Sequence, residues 1–195
     1  MKSFIKLLSL LLALSLLCAG CGKEQATEQP PVTLATQLTG PLSLGDQMVD
    51  LSITVEGEAL SLSQLLQEKK LVVLNFWYID CIWCQREFPA MEVSYQRHRE
   101  DVEILALNPF DAPEDIASFQ KEGSLSFPMA SCPRDLALAF GISGYPTSVV
   151  IDRNGTICLI HPGAITDAAI FDTLFEAFTA DDYTTKTYQS VNDLL

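Results

Sequence analysis

The chain has 195 residues, enough for one ordinary domain with extensions, and 48% of them are apolar, ample for a buried core. With 12 basic against 25 acidic side chains its formal charge is −13. Such a surface repels phosphate backbones and anionic lipid heads, which excludes nucleic-acid binding and attachment to a membrane through basic side chains.

The first stretch, "MKSFIKLLSLLLALSLLCAGC", opens with Lys2 and Lys6, runs apolar from Leu7 to Leu17 and stops at small residues. That is the pattern of an export signal, with an apolar run shorter than the roughly 20 residues of a membrane-spanning helix. "LCAGC" resembles the lipobox of bacterial lipoproteins, which implies cleavage after Gly20 and lipidation of Cys21. Cys18 stands where that family usually has Leu; the alternatives are plain secretion and an uncleaved anchor. Cleavage would remove Lys2 and Lys6, leaving 10 basic against 25 acidic side chains, a mature charge of −15. One acyl chain holds a membrane only marginally, so the several chains of a bacterial lipoprotein are what would make anchoring stable.

The expected organisation is therefore a signal over 1–20, a lipidated Cys21 with a tether over 21–40, a domain over 41–180 and a tail over 181–195. The tether, "GKEQATEQPPVTLATQLTG", is polar, holds Pro30-Pro31 and has no apolar period. As a flexible coil it would span about 25 Å root-mean-square. "MVDLSITVEGEALSLSQLL" alternates apolar and polar residues around Glu56-Gly57, which predicts a hairpin leading to a short helix near Ser63 to Glu68. "LVVLNFWYI" is an unbroken apolar run, as in strands buried on both faces.

After it, Cys84, Phe88, Met91 and Tyr95 recur at helical spacing, with Pro89 inside the pattern where a kink is expected. "VEILALN" is a second buried strand. "PEDIASFQKEG" is a helix with Pro113 in its first turn and Gly123 past its end; "LSFPMA" is a short extended piece. "SCPRDLALAFG" opens a helix at Pro133 and closes it at Gly141. "TSVVIDRNGTICLIH" is a hairpin turning at Asn154-Gly155. "TDAAIFDTLFEAF" is an amphipathic helix starting at Thr166, with Ile170, Phe171, Leu174, Phe175 and Phe178 as its buried stripe. From Asp181 onward there is no clear period. This alternation argues for an α/β sandwich with a central mixed sheet flanked by helices.

"NFWYIDCIWCQREFPAM" resembles the strand, active-site turn and kinked helix of thioredoxin-like proteins, in particular the membrane-anchored thiol-disulfide oxidoreductases of the TlpA/ResA group. "GISGYPTSVVIDRNGTI" resembles the same family's cis-proline loop and following hairpin. The resemblance covers about Gly40 to Phe178 and implies a thioredoxin-like three-layer α/β sandwich, here with an N-terminal β-hairpin extension. It implies a cis bond before Pro146, with Tyr145, in a loop that packs against the cysteine pair, keeps metal out and offers backbone groups to an extended substrate.

Beside the resemblance, the residues carry their own chemistry. A Cys-x-x-Cys at a helix start sets the first sulfur against free backbone N–H groups and the positive end of the dipole, which favours a thiolate. Cys81 is then the attacking nucleophile, and Cys84, one turn in, resolves the mixed disulfide. The redox group is the Cys81-Cys84 pair itself, with no other cofactor. Zinc would need four ligands, and the remaining candidates, Cys132, Cys158, His98 and His161, are scattered.

Asp80, just before Cys81, departs from the family, which usually has Trp or another uncharged residue there. A helix dipole is worth about 0.3 to 1 kcal/mol to a thiolate, whereas a carboxylate about 6 Å away costs roughly 1 to 3 kcal/mol at effective dielectric 50 to 20. Asp80 is therefore expected to hold Cys81 near the free-thiol value and make the couple a reductant; the alternative is that it caps the Trp83 N–H. Asn75 falls where thioredoxin has a buried acid and cannot titrate, which leaves proton handling to water or Glu87. Ile82, Trp83 and Tyr145 are expected to form an apolar rim for a docking peptide, unless Trp83 packs beneath the hairpin. Cys132, before Pro133, is either a third reactive thiol or bridged to Cys158, which otherwise reads as a buried, inert side chain.

The function expected is a thiol-disulfide oxidoreductase outside the cytoplasmic membrane, reducing disulfides in exported protein partners and taking electrons from a membrane thiol carrier; a monomer is expected. The resemblance implies cytochrome c maturation, envelope disulfide reduction or electron delivery to a methionine sulfoxide reductase, without choosing among them. Two other readings share the fold. A thiol peroxidase would need Pro-x-x-x-Thr-x-x-Cys, and "NFWYID" before Cys81 lacks it. A Sco-type copper module would use Cys-x-x-x-Cys with a distant His, one residue longer than the spacing here.

Overall fold

The computed structural model describes residues 41–195, Glu56 excepted. The expected export signal, Cys18, the lipidation site Cys21 and the tether all lie outside the described residues. No helix among the described residues is long and apolar enough to cross a membrane.

The expected N-terminal hairpin is β1 (Ser52–Val55) paired antiparallel with β2 (Glu58–Ser61). It runs into helix α1 (Leu62–Glu68), capped by Ser61, whose hydroxyl accepts from the Gln64 N–H. The unbroken apolar run forms β3 (Leu71–Phe76), every residue of it buried. Helix α2 (Ile82–His98) continues through Pro89. Strand β4 (Val102–Asn108), helix α3 (Pro113–Gly123), strand β5 (Met129–Ser131) and helix α4 (Arg134–Ala139) follow. Strands β6 (Thr147–Asp152) and β7 (Ile157–Pro162) make the second hairpin, and helix α5 (Ala168–Thr179) closes the α/β pattern.

The main sheet has the order β5-β4-β3-β6-β7. β3 is central, parallel to β4 and antiparallel to β6. Because side chains alternate along a strand, β3 feeds both faces. Leu71 and Val73 join a core with α2, α3 and α5; Val72, Leu74 and Phe76 join a second core with α1, α4 and residues of β1. The hairpin extension thus helps to cover one face of the sheet, giving the three-layer arrangement expected of a thioredoxin-like chain.

On the first face, Phe171, Leu174, Phe175 and Phe178 of α5 are buried, each contributing about 1.5 to 3 kcal/mol relative to exposure. Asp172 fixes α5 to α2: it accepts from the Ser94 hydroxyl at 2.7 Å and from Arg97 Nη1 at 2.6 Å, with His98 Nε2 3.1 Å away. Three expectations shift in detail. Helix α5 is capped by Asp167, which accepts from the Ala169 N–H at 2.9 Å, rather than by Thr166, and Ile170 is only half-buried. Helix α3 includes Gly123, and the left-handed residue that ends it is Ser124 at φ 52°. The tail after Asp181 is tied down: Tyr183 and Tyr188 pack edge-on or tilted against Phe178, and Val191 is buried.

Candidate active site

Strand β3 delivers the chain to a short loop, residues 77–80, from which α2 starts. Its cap is Cys81: the Cys81 N–H donates to the Tyr78 carbonyl at 3.1 Å, and the Cys84 N–H donates to Cys81 Sγ at 3.1 Å. The first sulfur thus receives a helix N–H that has no intrahelical partner. Cys81 and Cys84 are joined as a disulfide, with Cα atoms 5.3 Å apart. Cys81 is 4% exposed and Cys84 fully buried, so the outer sulfur is the one a partner can approach. Because the cap falls on Cys81, Asp80 is not the cap of this helix; it stands exposed one residue before it.

The Tyr145-Pro146 bond is cis, as the resemblance implied. Tyr145 belongs to an aromatic triangle with Tyr78 and Phe110, all three pairs near edge-on with centroids 5.4 to 5.6 Å apart. Tyr78 is the residue whose carbonyl holds Cys81, so the triangle joins the cis-proline loop to the cysteine turn. Asp111 reinforces the joint by accepting from the Ile79 N–H and from Asn108 Nδ2, both at 2.8 Å. Ile82 and Trp83 are 58% and 54% exposed, which rules out Trp83 packed beneath the hairpin. The guanidinium of Arg86 lies 4.7 Å over the Trp83 ring, and that of Arg134 lies 5.0 Å over Phe110.

Beneath the surface, one helical turn past Cys84, Glu87 is fully buried. Its Oε1 accepts from the Ile165 N–H and its Oε2 from Asn75 Nδ2, both at 2.9 Å. Burial pushes this carboxyl up to about 7, more than its two neutral donors pull it down. A group that exchanges its proton near neutrality thus sits on the helix of the redox pair. Asn75 and Ser148 are opposite partners across β3 and β6, and Asn75 Nδ2 also donates to Ser148 Oγ at 3.0 Å.

Sequence reasoning singled out Cys81, Cys84, Trp83 and Tyr145, and named Asn75 and Glu87 without joining them. It missed Tyr78, Phe110, Arg134, Ser148 and Ile165. Tyr78 and Phe110 lie just past the carboxyl ends of β3 and β4, where open α/β sheets build their sites, and that position was an available signal.

The other cysteines do not converge. Cys132 packs with the second core and Cys158 with the first, on opposite faces of the sheet, so the expected possibility of a bridge between them fails. Burial pushes the Cys132 thiol up to about 12 and also raises Cys158, so neither is poised as a thiolate. Cys158 is fully buried. His98 is engaged by Asp172, and among the described residues no group of three His, Cys, Asp or Glu side chains could hold a metal ion.

A family model described as the AhpC/TSA family matches residues 44–160. The chain is 35% identical over 129 residues to thiol-disulfide oxidoreductase ResA of Halalkalibacterium halodurans, covering 65% of this chain and 72% of that one. It is 31% identical to ResA of Bacillus subtilis over 118 residues, covering 60% and 65%. Among solved structures, a thiol:disulfide interchange protein of the thioredoxin family from Chlorobium tepidum superposes with a TM-score of 0.61 at 23% identity, covering 71% of this chain and 99% of that one.

Proposed function

The chain belongs to the AhpC/TSA family and is a thioredoxin-like thiol-disulfide oxidoreductase, and on that premise we propose that it acts outside the cytoplasm as a reductant of disulfides in exported proteins. The observation that carries this reading is the Cys81-Cys84 disulfide at the mouth of α2, its outer cysteine retaining 4% exposure and its inner one fully buried.

In the reduced enzyme, the Cys81 thiolate attacks a substrate disulfide. A Cys81-substrate S–S bond forms, the substrate's own S–S bond breaks, and the departing substrate thiolate takes a proton. Cys84 then loses its proton and attacks Cys81 Sγ, closing the intramolecular disulfide and releasing the second substrate thiolate, which is protonated in turn. Two electrons pass from the enzyme dithiol to the substrate. An external thiol carrier in the membrane restores the dithiol. Glu87, one turn from Cys84 and balanced near pH 7, is suited to receive the Cys84 proton.

Export and anchoring rest on the amino-terminal signal and on Cys21 as its lipidation site. The rim of Ile82, Trp83 and Tyr145, extended by Tyr78 and Phe110, offers an apolar landing for an extended segment, with Pro146 supplying backbone groups beside it. Asp80 supports the reducing direction, because a carboxylate next to Cys81 disfavours its thiolate and hence the dithiol form.

Trapping tests the proposal. With Cys84→Ala, the mixed disulfide cannot be resolved, so full-length protein expressed in a bacterial envelope should remain covalently joined through Cys81 to exported, cysteine-bearing proteins. Recovery of no such adducts, together with failure of the unaltered protein to reduce insulin, would remove the reading. Peroxide consumption or stoichiometric copper binding would replace it with one of the two other readings.

A further inference from the structure

The buried polar cluster under the redox pair contains an imbalance. Asn75 is fully buried, and its Nδ2 serves two acceptors, Glu87 Oε2 at 2.9 Å and Ser148 Oγ at 3.0 Å, while its Oδ1 has no hydrogen-bond partner among the described residues. Buried carbonyl oxygens without partners are rare, because nothing replaces the water they gave up. The arrangement suits an ionised Glu87, whose two oxygens then accept from Ile165 N–H and from the Asn75 amide. It does not suit a protonated Glu87, because an Oε2–H would meet an N–H donor head-on.

Rotation of the Asn75 amide by half a turn exchanges its two ends. Oδ1 would then face Glu87 Oε2 and Ser148 Oγ, accepting from the carboxylic O–H and from a serine hydroxyl, which can serve as donor or acceptor. An Asn amide can present either sign at the same point, which neither an ionised Asp nor a Leu can. We propose that Asn75 is a positioning residue for Glu87, its side-chain amide reversing as the carboxyl gains or loses its proton so that Oε2 is hydrogen-bonded in both states. Ser148 follows by turning its hydroxyl. The carboxyl can then exchange a proton without movement of the main chain, which deepens the reading of this site as a thiol-disulfide centre and rests on it.

The groups that face the carboxyl are uncharged: the Asn75 amide from β3, the Ser148 hydroxyl from β6, which joins it through that amide, and the Ile165 N–H from the segment before α5. Titratable groups within its core are the thiols of Cys81, Cys84 and Cys158 and the phenol of Tyr95, with the phenols of Tyr78, Tyr145, Tyr183 and Tyr188 packed against it. In the oxidised protein Cys81 and Cys84 do not titrate, and burial raises both Cys158 and Tyr95. In the oxidised form the cysteine pair therefore adds no titration of its own to that of Glu87.

The test is a pH titration of isotopically labelled, oxidised protein by nuclear magnetic resonance. The Glu87 carboxyl carbon and the Asn75 side-chain amide protons should change with one midpoint, and the Overhauser contact from those protons to Ser148 should be present above it and lost below it. In Asn75→Leu, the Glu87 midpoint should rise by about one unit, because the bond Asn75 donates to the ionised carboxylate is charge-assisted and stronger than the one it accepts from the protonated carboxyl. An Overhauser pattern that stays fixed through the Glu87 transition overturns the reversal, and needs no variant. An unmoved Glu87 midpoint in folded Asn75→Leu overturns the positioning role. Insulin reduction by the unaltered protein is scored separately; its failure would retire the function and leave the titration to stand or fall alone.

Discussion

Tyr183, in the carboxy-terminal tail, sets its hydroxyl 3.0 Å from Oδ2 of Asp152, at the end of β6. Asp152 is fully buried, and Thr185 donates to the same oxygen at 2.7 Å, while the Asn154 and Thr156 N–H groups donate to Oδ1 at 2.9 Å each. Burial raises this carboxyl, but the bonds from Thr185, Thr156, Asn154 and Tyr183 outweigh burial and hold it below the usual range. The tail is therefore latched to the turn of the second hairpin by an ionised group. Removing one donor, in Thr185→Val, should destabilise the fold by about 1.5 to 3 kcal/mol at pH 7. Since the folded carboxyl titrates below its unfolded value, the stabilisation is present above that value and lost as pH falls through the folded one. Denaturant midpoints of the variant and the parent should accordingly converge only as pH falls below the ordinary aspartate value of 3.8; a gap independent of pH would place the effect elsewhere.

The latch also shows where sequence reading stops. Strands buried on both faces, the Asn154-Gly155 turn and the α2 stripe of Cys84, Phe88, Met91 and Tyr95 are local patterns, and their periodicity reports burial directly. Tyr183 has no such pattern: it is held by residues 25 and 31 positions away, Cys158 and Asp152. The same holds at the active site. Cys81 and Cys84 announce themselves by spacing, and Pro146 by its setting, but the Asn75–Glu87–Ser148 cluster depends on register between β3 and β6 and on which turn of α2 faces them. The left-handed Ser124 was hidden by the adjacent Gly123, which a propensity argument prefers.

Glu87 gives a pH-dependent prediction of opposite sign to Asp152. Its folded value of about 7 stands above the ordinary 4.5, so the protonated form favours the folded state. Its contribution is fully present below about 4.5 and is lost as pH rises to about 7, amounting to about 3 kcal/mol. Glu87→Gln, which keeps the shape without the charge, should flatten the fall of stability across that window when unfolding is followed in guanidinium. It should also slow release of the mixed disulfide, leaving attack by Cys81 on a small disulfide little changed. Equal slowing of both steps would argue against Glu87 as acceptor of the Cys84 proton.

Asp80 is exposed, and solvent screening limits its reach. Asp80→Asn should lower the Cys81 thiol pKa by less than about one unit, which corresponds to a rise in reduction potential of less than about 30 mV. The direction follows from charge: without the carboxylate the Cys81 thiolate is favoured, so the dithiol form gains and the couple becomes more oxidising. Equilibration against a glutathione or dithiothreitol series, with alkylation at graded pH, reads both quantities. An unchanged potential would mean that Asp80 has no part in setting the direction of electron flow.

The rim separates recognition from chemistry. Trp83 and Phe110 are 54% and 46% exposed, large for aromatic side chains outside an interface, and each is held in place by an arginine over its face. Neither side chain takes part in the hydrogen bonds of the sulfurs or of the Glu87 cluster, so truncation should leave reaction with a small disulfide such as that of dithionitrobenzoate little changed. Docking of an extended polypeptide across the Tyr78–Phe110–Tyr145 triangle would lose an anchoring contact. Central aromatic anchors are commonly worth 1 to 2 kcal/mol or more on truncation, so Trp83→Ala and Phe110→Ala should each lower kcat/KM for reduction of a protein disulfide by about five- to thirty-fold. A loss of equal size with the small disulfide would mean that the substitution had disturbed the cysteine turn itself. No loss with either would place substrate contacts elsewhere on the surface.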